Sequence, residues 1–261
     1  MLARHIHTPD NGNDLLFKAN LGPDSAHAYW QVLLRYASSL AWQNQRPEAV
    51  SQLLQSCLKH GQGLSVLDWL MAHRAMDTPA QQSICQKALQ LASPTWQVTV
   101  PVCLAIDTGM QMLQREKASP WLQKLDLAAM LGVCLGKAQQ VDLWAYGSQI
   151  VPVIKAGSLA AQALRLRQAD TGWQSQAELV LDKRTPAQTL IYLSTGPVPD
   201  AVWAAWNNLC LQTGSPQPWL VWLQLSDSRT TKHIDSAHCR LSASGDGAFL
   251  LKLLKAQSCL N

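Results

Sequence analysis

Residues 96–112 read Trp-Gln-Val-Thr-Val-Pro-Val-Cys-Leu-Ala-Ile-Asp-Thr-Gly-Met-Gln-Met. Trp96 to Ile106 form an apolar run rich in β-branched side chains, entered from Ser93-Pro94 and left through Asp107-Thr108-Gly109. A run of this length between turn residues predicts a buried strand rather than a helix.

The pattern repeats downstream. Val141 to Tyr146 (VDLWAY) predicts a strand, and Gly147-Ser148 turns it into a second, Ile150 to Ile154, giving an antiparallel hairpin. Thr189 to Thr195 (TLIYLST) and Trp219 to Leu225 (WLVWLQL) predict two further strands, and His238 to Leu241 a short last one. Helical patterns fall at about Pro120–Ala138, Leu159–Gln168, Trp173–Lys183, Ala201–Thr213 and Asp246–Gln257. Strands alternating with helices predict an α/β domain: a mostly parallel sheet with one antiparallel edge strand and helices on both faces. The early hairpin, and the lack of Gly-x-Gly-x-x-Gly after the first strand, set it apart from a dinucleotide-binding sheet.

Upstream the chain reads differently. Residues 1–23 are polar, with turn signals at Pro9, Asn11-Gly12 and Gly22-Pro23, and predict an N-terminal arm. Residues 24–93 predict a small α-helical bundle of four helices. The first, capped by Asp24 or Ser25, carries Tyr29, Trp30, Leu33, Leu34, Ala37 and Leu40 inward; the second opens at Pro47 with Val50, Leu53, Leu54 and Leu58 inward. Ser65 starts the third, with Leu67, Leu70 and Met71, and Thr78-Pro79 the fourth, with Ile84, Ala88 and Leu89. Ser93-Pro94 then marks the start of the α/β domain, residues 94–261.

Composition narrows the function classes. The 261 residues are 48% hydrophobic and 15% charged, enough to bury two modest cores and unlike a disordered chain. The apolar runs are too short to span a bilayer, so no membrane partner is expected. The opening segment MLARHIHTPDNGND has no apolar signal region. Seven cysteines, an odd number with no Cys-x-x-Cys and several within apolar runs, predict buried free thiols and a cytoplasmic location. His233, His238 and Cys239 lack a fourth ligand at zinc spacing and read as loop residues.

The formal net charge is +4, and the 21 Lys and Arg are scattered. The densest pairs are Arg165 with Arg167 and Lys183 with Arg184; with Arg229 these are the candidate RNA contacts. No Gly-x-Ser-x-Gly, P-loop or paired carboxylates occur; Asp142 and Asp182 are expected on exposed positions. The chain is therefore expected not to be an enzyme, with no catalytic residue, cofactor or small-molecule substrate. Eleven Trp is a high number, and WAAWNN and WLVWLQ look like platforms for stacked bases. Packing explains them more simply: Trp203 and Trp206 set their helix on the sheet, Trp219 and Trp222 flank a strand, and other indoles cover a protein interface.

The element order, with Ala105-Ile106-Asp107-Thr108-Gly109-Met110-Gln111-Met112 closing the first strand, resembles the von Willebrand factor A (vWA) fold. Thr185-Pro186-Ala187 before TLIYLST, and Ser244-Gly245-Asp246-Gly247-Ala248 before the last helix, look most like the A domains of Ro (TROVE) ribonucleoproteins. The resemblance covers about residues 96–257, and residues 24–91 are far too short for the ring of helical repeats that holds RNA in Ro proteins.

In the vWA family, Asp-x-Ser-x-Ser with a later Thr and a second Asp forms a metal-ion-dependent adhesion site. Mg²⁺ takes about six hard oxygens at ~2.1 Å, several of them water. Carried onto this sequence, Asp107 matches the first Asp and Thr171 the Thr, but Gly109 and Gln111 replace the two Ser, and Thr195 replaces the second Asp. The resemblance thus implies a degenerate site and no metal cofactor, with Asp107 hydrogen-bonded to the loop that follows it. The leading expectation is a scaffold subunit of a cytoplasmic multiprotein complex, contacting protein subunits through Asp107, Thr108, Gln111, Thr171, Trp173 and Thr195. The alternatives are a Ro-like RNA-binding ribonucleoprotein component and an accessory to an AAA+ ATPase.

Overall fold

The computed structural model describes residues 23–61, 63–92, 100–116, 119–136, 140–169, 171–183, 188–213, 218–226, 230–235 and 240–245. The expected arm up to Gly22, Arg184, the Thr185-Pro186-Ala187 turn, Arg229, His238-Cys239 and the helix expected at 246–257 lie outside these residues. The chain divides into two compact units, Met1–Ser93 and Pro94–Asn261.

The first unit holds four helices: α1 (Pro23–Trp42), α2 (Pro47–His60), α3 (Val66–Ala75) and α4 (Pro79–Ala92). Pro47 sits in the first turn of α2, where a missing N–H removes no helical bond. Ser65 and Asp68 form a reciprocal capping box on α3: the Asp68 N–H donates to Ser65 Oγ at 3.2 Å, and the Ser65 N–H donates to Asp68 Oδ2 at 2.8 Å. The stripe Trp30, Leu33, Leu34, Ala37 and Leu40 is buried with Val50, Leu54, Leu67, Leu70, Ala88 and Leu89. Leu53, Leu58, Met71 and Ile84 are only partly covered. Cys57 and Cys85 belong to this core, and burial pushes both thiols up to about 12, which leaves them protonated and unreactive.

The second unit is built on a seven-stranded sheet. Its strands are β1 (Val102–Asp107), β4 (Val141–Tyr146), β5 (Ile150–Pro152), β6 (Thr189–Ser194), β7 (Leu220–Leu225), β8 (Thr230–Asp235) and β9 (Arg240–Gly245), in the order β5-β4-β1-β6-β7-β9-β8. Strands β4, β1, β6, β7 and β9 run parallel. The hairpin β4–β5 makes one antiparallel edge, in register Tyr146 with Ile150. A second antiparallel pair, β8–β9, closes the other edge. Strand β8 (Thr-Thr-Lys-His-Ile-Asp) has no apolar run to announce it, and β9 extends four residues past the short strand expected to end at Leu241.

Two helical expectations shift. A two-stranded ribbon, β2 (Arg115–Glu116) with β3 (Ser119–Gln123), takes the start of the segment expected to be helical from Pro120. Pro120 disfavours helix for the residue before it, and the Asp126 carboxylate accepts the Gln123 N–H at 2.8 Å, so α5 (Lys124–Gly136) begins after Gln123. Helix α6 (Leu159–Arg167) forms as expected, but the segment from Trp173 is helical only at Ala177–Lys183, as a 3-10 helix. Its first part is held by loop bonds: Met110 N–H donates to Trp173 O and Gln176 N–H to Gly147 O.

Side chains alternate across the sheet. Leu104 and Ile106 of β1 meet α5, which is buried at every residue from Lys124 to Leu135; Ile106 Cδ1 lies so close to Gly132 that a Cβ there would stand 2.0 Å from it. On the other face, Cys103, Ala105, Tyr146, Tyr192, Trp222 and Trp206 of α7 (Asp200–Thr213) share one core. Tyr146 meets Tyr192 edge-on at 5.7 Å, and Tyr192 meets Trp222 at 4.8 Å. Strand β1 lies between the strands of the two tyrosines, and its small Cys103 and Ala105 let their rings close over it. Ala105→Leu is expected to destabilise the fold by about 1–3 kcal/mol through overpacking. The urea midpoint measures it, and an unchanged midpoint would contradict this packing.

Candidate functional site: the carboxyl-end rim of the sheet

The five parallel strands end on the same edge, so the loops after β1, β4 and β6 converge there. Register sets Asp107 level with Tyr146 on one side, and Ile106 opposite Leu193 sets it level with Ser194 on the other.

Asp107 is 2% exposed. Its Oδ1 accepts the Gly109 N–H at 2.8 Å and the Ser175 hydroxyl at 2.6 Å; its Oδ2 accepts the Ser194 hydroxyl at 2.7 Å. The bond to Gly109 is the loop contact expected for this residue; the two serines are new. Nothing in the sequence near Ser175 points to Asp107, because 68 residues separate them. Ser194 adjoins the expected Thr195, and strand alternation places it on the face of Asp107.

The remaining expected positions scatter. Thr171 is 1% exposed, and its hydroxyl pairs with that of Thr108, which also donates to Tyr146 O. Thr195 Oγ1 is buried without a hydrogen-bond partner. Gln111 is exposed on the 3-10 turn Met110–Leu113. Asp107 and Thr171, both expected on a contact surface, are buried. Thr108, Gln111, Trp173 and Thr195 keep at least partial exposure.

As a donor set for the divalent ion of the resembled family, these residues do not fit. Among the five matched positions one carboxylate is present, both of its oxygens already accept donors from the chain, Gly109 supplies no side-chain oxygen, and Thr195 supplies no charge. Among the described residues, no group of three or more His, Cys, Asp and Glu side chains lies together as metal ligands would.

The described loop stretches beside Asp107 are uncharged. Residues 108–114, 147–149, 171–176 and 195–199 contain no Asp, Glu, Lys, Arg or His. Trp173, 68% exposed, and Met110, 60% exposed, stand on adjoining loops joined by the Met110 N–H to Trp173 O bond of 3.1 Å. The WAAWNN and WLVWLQ indoles do not form this surface: Trp206 and Trp222 are buried, and Trp203 lies under the Arg240 guanidinium at 4.7 Å.

Among the basic candidates that are described, two hold partners within the chain. Arg165 donates to Ile154 O and Ala156 O. Arg167 donates to Gln123 Oε1 at 3.0 Å and pairs with Asp126 at 3.4 Å. Lys183 is exposed at the end of the 3-10 helix.

Tyr146 is wholly buried beside Asp107, and its hydroxyl makes no hydrogen bond of good geometry, although the Ser194 hydroxyl is near. Burial foremost, then Asp107 and Tyr192, push its phenol well above the usual tyrosine range. A raised phenol keeps its proton in the folded state after the unfolded chain has lost it. The linked stability is therefore complete below the unfolded pKa of about 10 and falls as pH rises beyond it. Tyr146→Phe is expected to cost little at neutral pH and to flatten the fall in urea midpoint between about pH 9 and 11. An identical alkaline slope in the variant would contradict this.

No family model matches the chain, and no curated protein matches it. Solved structures do. The Ro (RSR) protein of Deinococcus radiodurans matches with a TM-score of 0.53 at 14% identity, over 92% of this chain and 50% of that one. The chain thus spans half the length of that Ro protein. BatB of Bacteroides thetaiotaomicron matches at 11% identity and a TM-score of 0.39, over 60% of this chain and 96% of that one. A von Willebrand factor type A protein of Catenulispora acidiphila matches at 10% identity and 0.38, over 60% and 41%. The fold is vWA-like, with helices before the sheet as in the Ro match. No helix among the described residues is long and apolar enough to cross a membrane.

Proposed function

We propose that this chain is a non-enzymatic interaction subunit of a cytoplasmic multiprotein complex, and that it docks a protein partner on the rim around Trp173 and Met110. The observation that carries this reading is the pair of exposed side chains Trp173 and Met110 on adjoining loops whose described stretches carry no charge. Exposed Trp flanked by neutral amides and hydroxyls is the composition of an interface hot spot and its surround. The four described cysteines, Cys57, Cys85, Cys103 and Cys134, are buried free thiols, which suits a reducing compartment.

The second reading, RNA binding, draws on the Ro likeness of the fold. Phosphate recognition needs clustered free cations. The stretches 108–114, 147–149, 171–176 and 195–199 contain no Lys or Arg, and Arg165 and Arg167 hold local partners. The protein reading is therefore favoured.

A photo-crosslinking amino acid at position 173, with position 183 as the comparison, tests both readings in cells. Protein adducts are expected at 173, stable to high salt, and Met110→Ala is expected to weaken the purified adduct partner's binding by about tenfold or more. No protein adduct at 173 would overturn the reading, and RNA adducts at 183 with none at 173 would favour the second.

A further inference from the structure

We infer that the rim is closed without an ion: hydroxyls of the chain itself hold Asp107, and Ser175 takes the volume that a side chain at residue 109 would fill. This stands whether or not the rim receives a partner.

The argument turns on why residue 109 is glycine. Its backbone, at φ −65° and ψ 171°, is open to any residue, so conformation does not demand glycine. Space does. A Cβ on Gly109 would lie 2.3 Å from Ser175 Oγ, 3.1 Å from Asp107 Oδ1 and 3.2 Å from Trp173 O. The nearest of these atoms is the one that donates to Asp107 Oδ1 at 2.6 Å. A hydroxyl from the loop before the 3-10 helix Ala177–Lys183 thus stands where the side chain of a serine at this position would stand. It reaches the same carboxylate from another part of the chain.

Ser194 completes the arrangement on Oδ2. The carboxylate accepts donors from its own loop, from the Ser175 loop and from β6. Each donor supplies the partial positive charge that an ion would otherwise bring, at hydrogen-bond range. At the position of the pattern's second carboxylate, Thr195 offers only a neutral hydroxyl. An ion here would meet a carboxylate with three of its roughly four acceptor positions already taken by the chain.

A thermodynamic cycle tests the exchange of volume. Gly109→Ser is expected to lower the melting temperature by several degrees, because Ser175 must leave Asp107. Ser175→Ala is expected to lower it by a similar amount. The double substitution is expected to melt no lower than the worse single one, since the introduced hydroxyl then has the space and a free acceptor. Losses that simply add would overturn the proposal.

A second measurement needs no variant to fold. Wild-type protein is titrated with Mn²⁺, read by the loss of the free-ion paramagnetic resonance signal, and melted with Mg²⁺ or with chelator. No saturable Mn²⁺ uptake and no Mg²⁺-dependent shift in melting are expected. Saturable uptake that Asp107→Asn abolishes would overturn the proposal.

Discussion

A carboxylate buried at the end of a strand must be compensated, and much of the rim follows from how Asp107 meets that demand. An ionised carboxyl taken from water without partners is among the most unfavourable groups a fold can contain. Here it accepts three hydrogen bonds, from Gly109, Ser175 and Ser194. Those donors lie on the loop after β1, on the loop that follows α6, and at the end of β6. Satisfying one side chain therefore ties three separate segments to one point. Because the tie is made of short side chains, it leaves little room, and this is what keeps residue 109 a glycine.

The same tie settles the electrostatics above it. The charge of Asp107 is met from within and lies beneath the surface, so the rim presents hydroxyls, amides, Met110 and Trp173 to its surroundings. Recognition on such a surface comes from shape and desolvation rather than from steering by charge. A rim closed by an ion would instead place a concentrated positive charge there and select for an acidic group in the partner. Losing one carboxylate and both serines from the vWA pattern leaves the strand order intact. This is the sense in which a fold conveys position and the side chains at its rim convey chemistry.

Much of this is legible in the sequence. The buried strands β1, β4, β6 and β7 announce themselves by apolar runs, because a strand covered on both faces has no polar side to alternate. The hairpin at Gly147-Ser148, the first-turn Pro47 and the cap at Ser65 are local signals, and the structure has all three. Strand β8 is illegible because Thr-Thr-Lys-His-Ile-Asp sits at the sheet edge, where pairing needs no apolar run. Ribbon β2–β3 and the 3-10 helix read as longer α-helix, since their periodicity says nothing of the loop bonds that hold them. At the site, Asp107 can be picked from its place at a strand end. Ser175 cannot, for its role depends on a contact 68 residues away that only the fold creates.

An ion often serves to stiffen converging loops, so a rim without one needs another source of rigidity, and the aromatic core below supplies it. Trp222 lies in the buried core, yet its Nε1–H donates to Gly196 O at 3.0 Å, on the loop after β6. Tyr192 donates to Ala177 O at 2.7 Å, where the 3-10 helix begins two residues after Ser175. Gln224 donates to Thr195 O at 2.9 Å. Each bond joins a side chain anchored on a strand to the backbone of a rim loop, and a buried donor left without its acceptor would be unfavourable by about 1–3 kcal/mol. The loops bearing Thr195, Gly196 and Ser175 are therefore fixed from beneath by groups whose positions the packing of the sheet already determines. The hydroxyls then need only join loops that are nearly in place, a task for which neutral groups of short reach suffice.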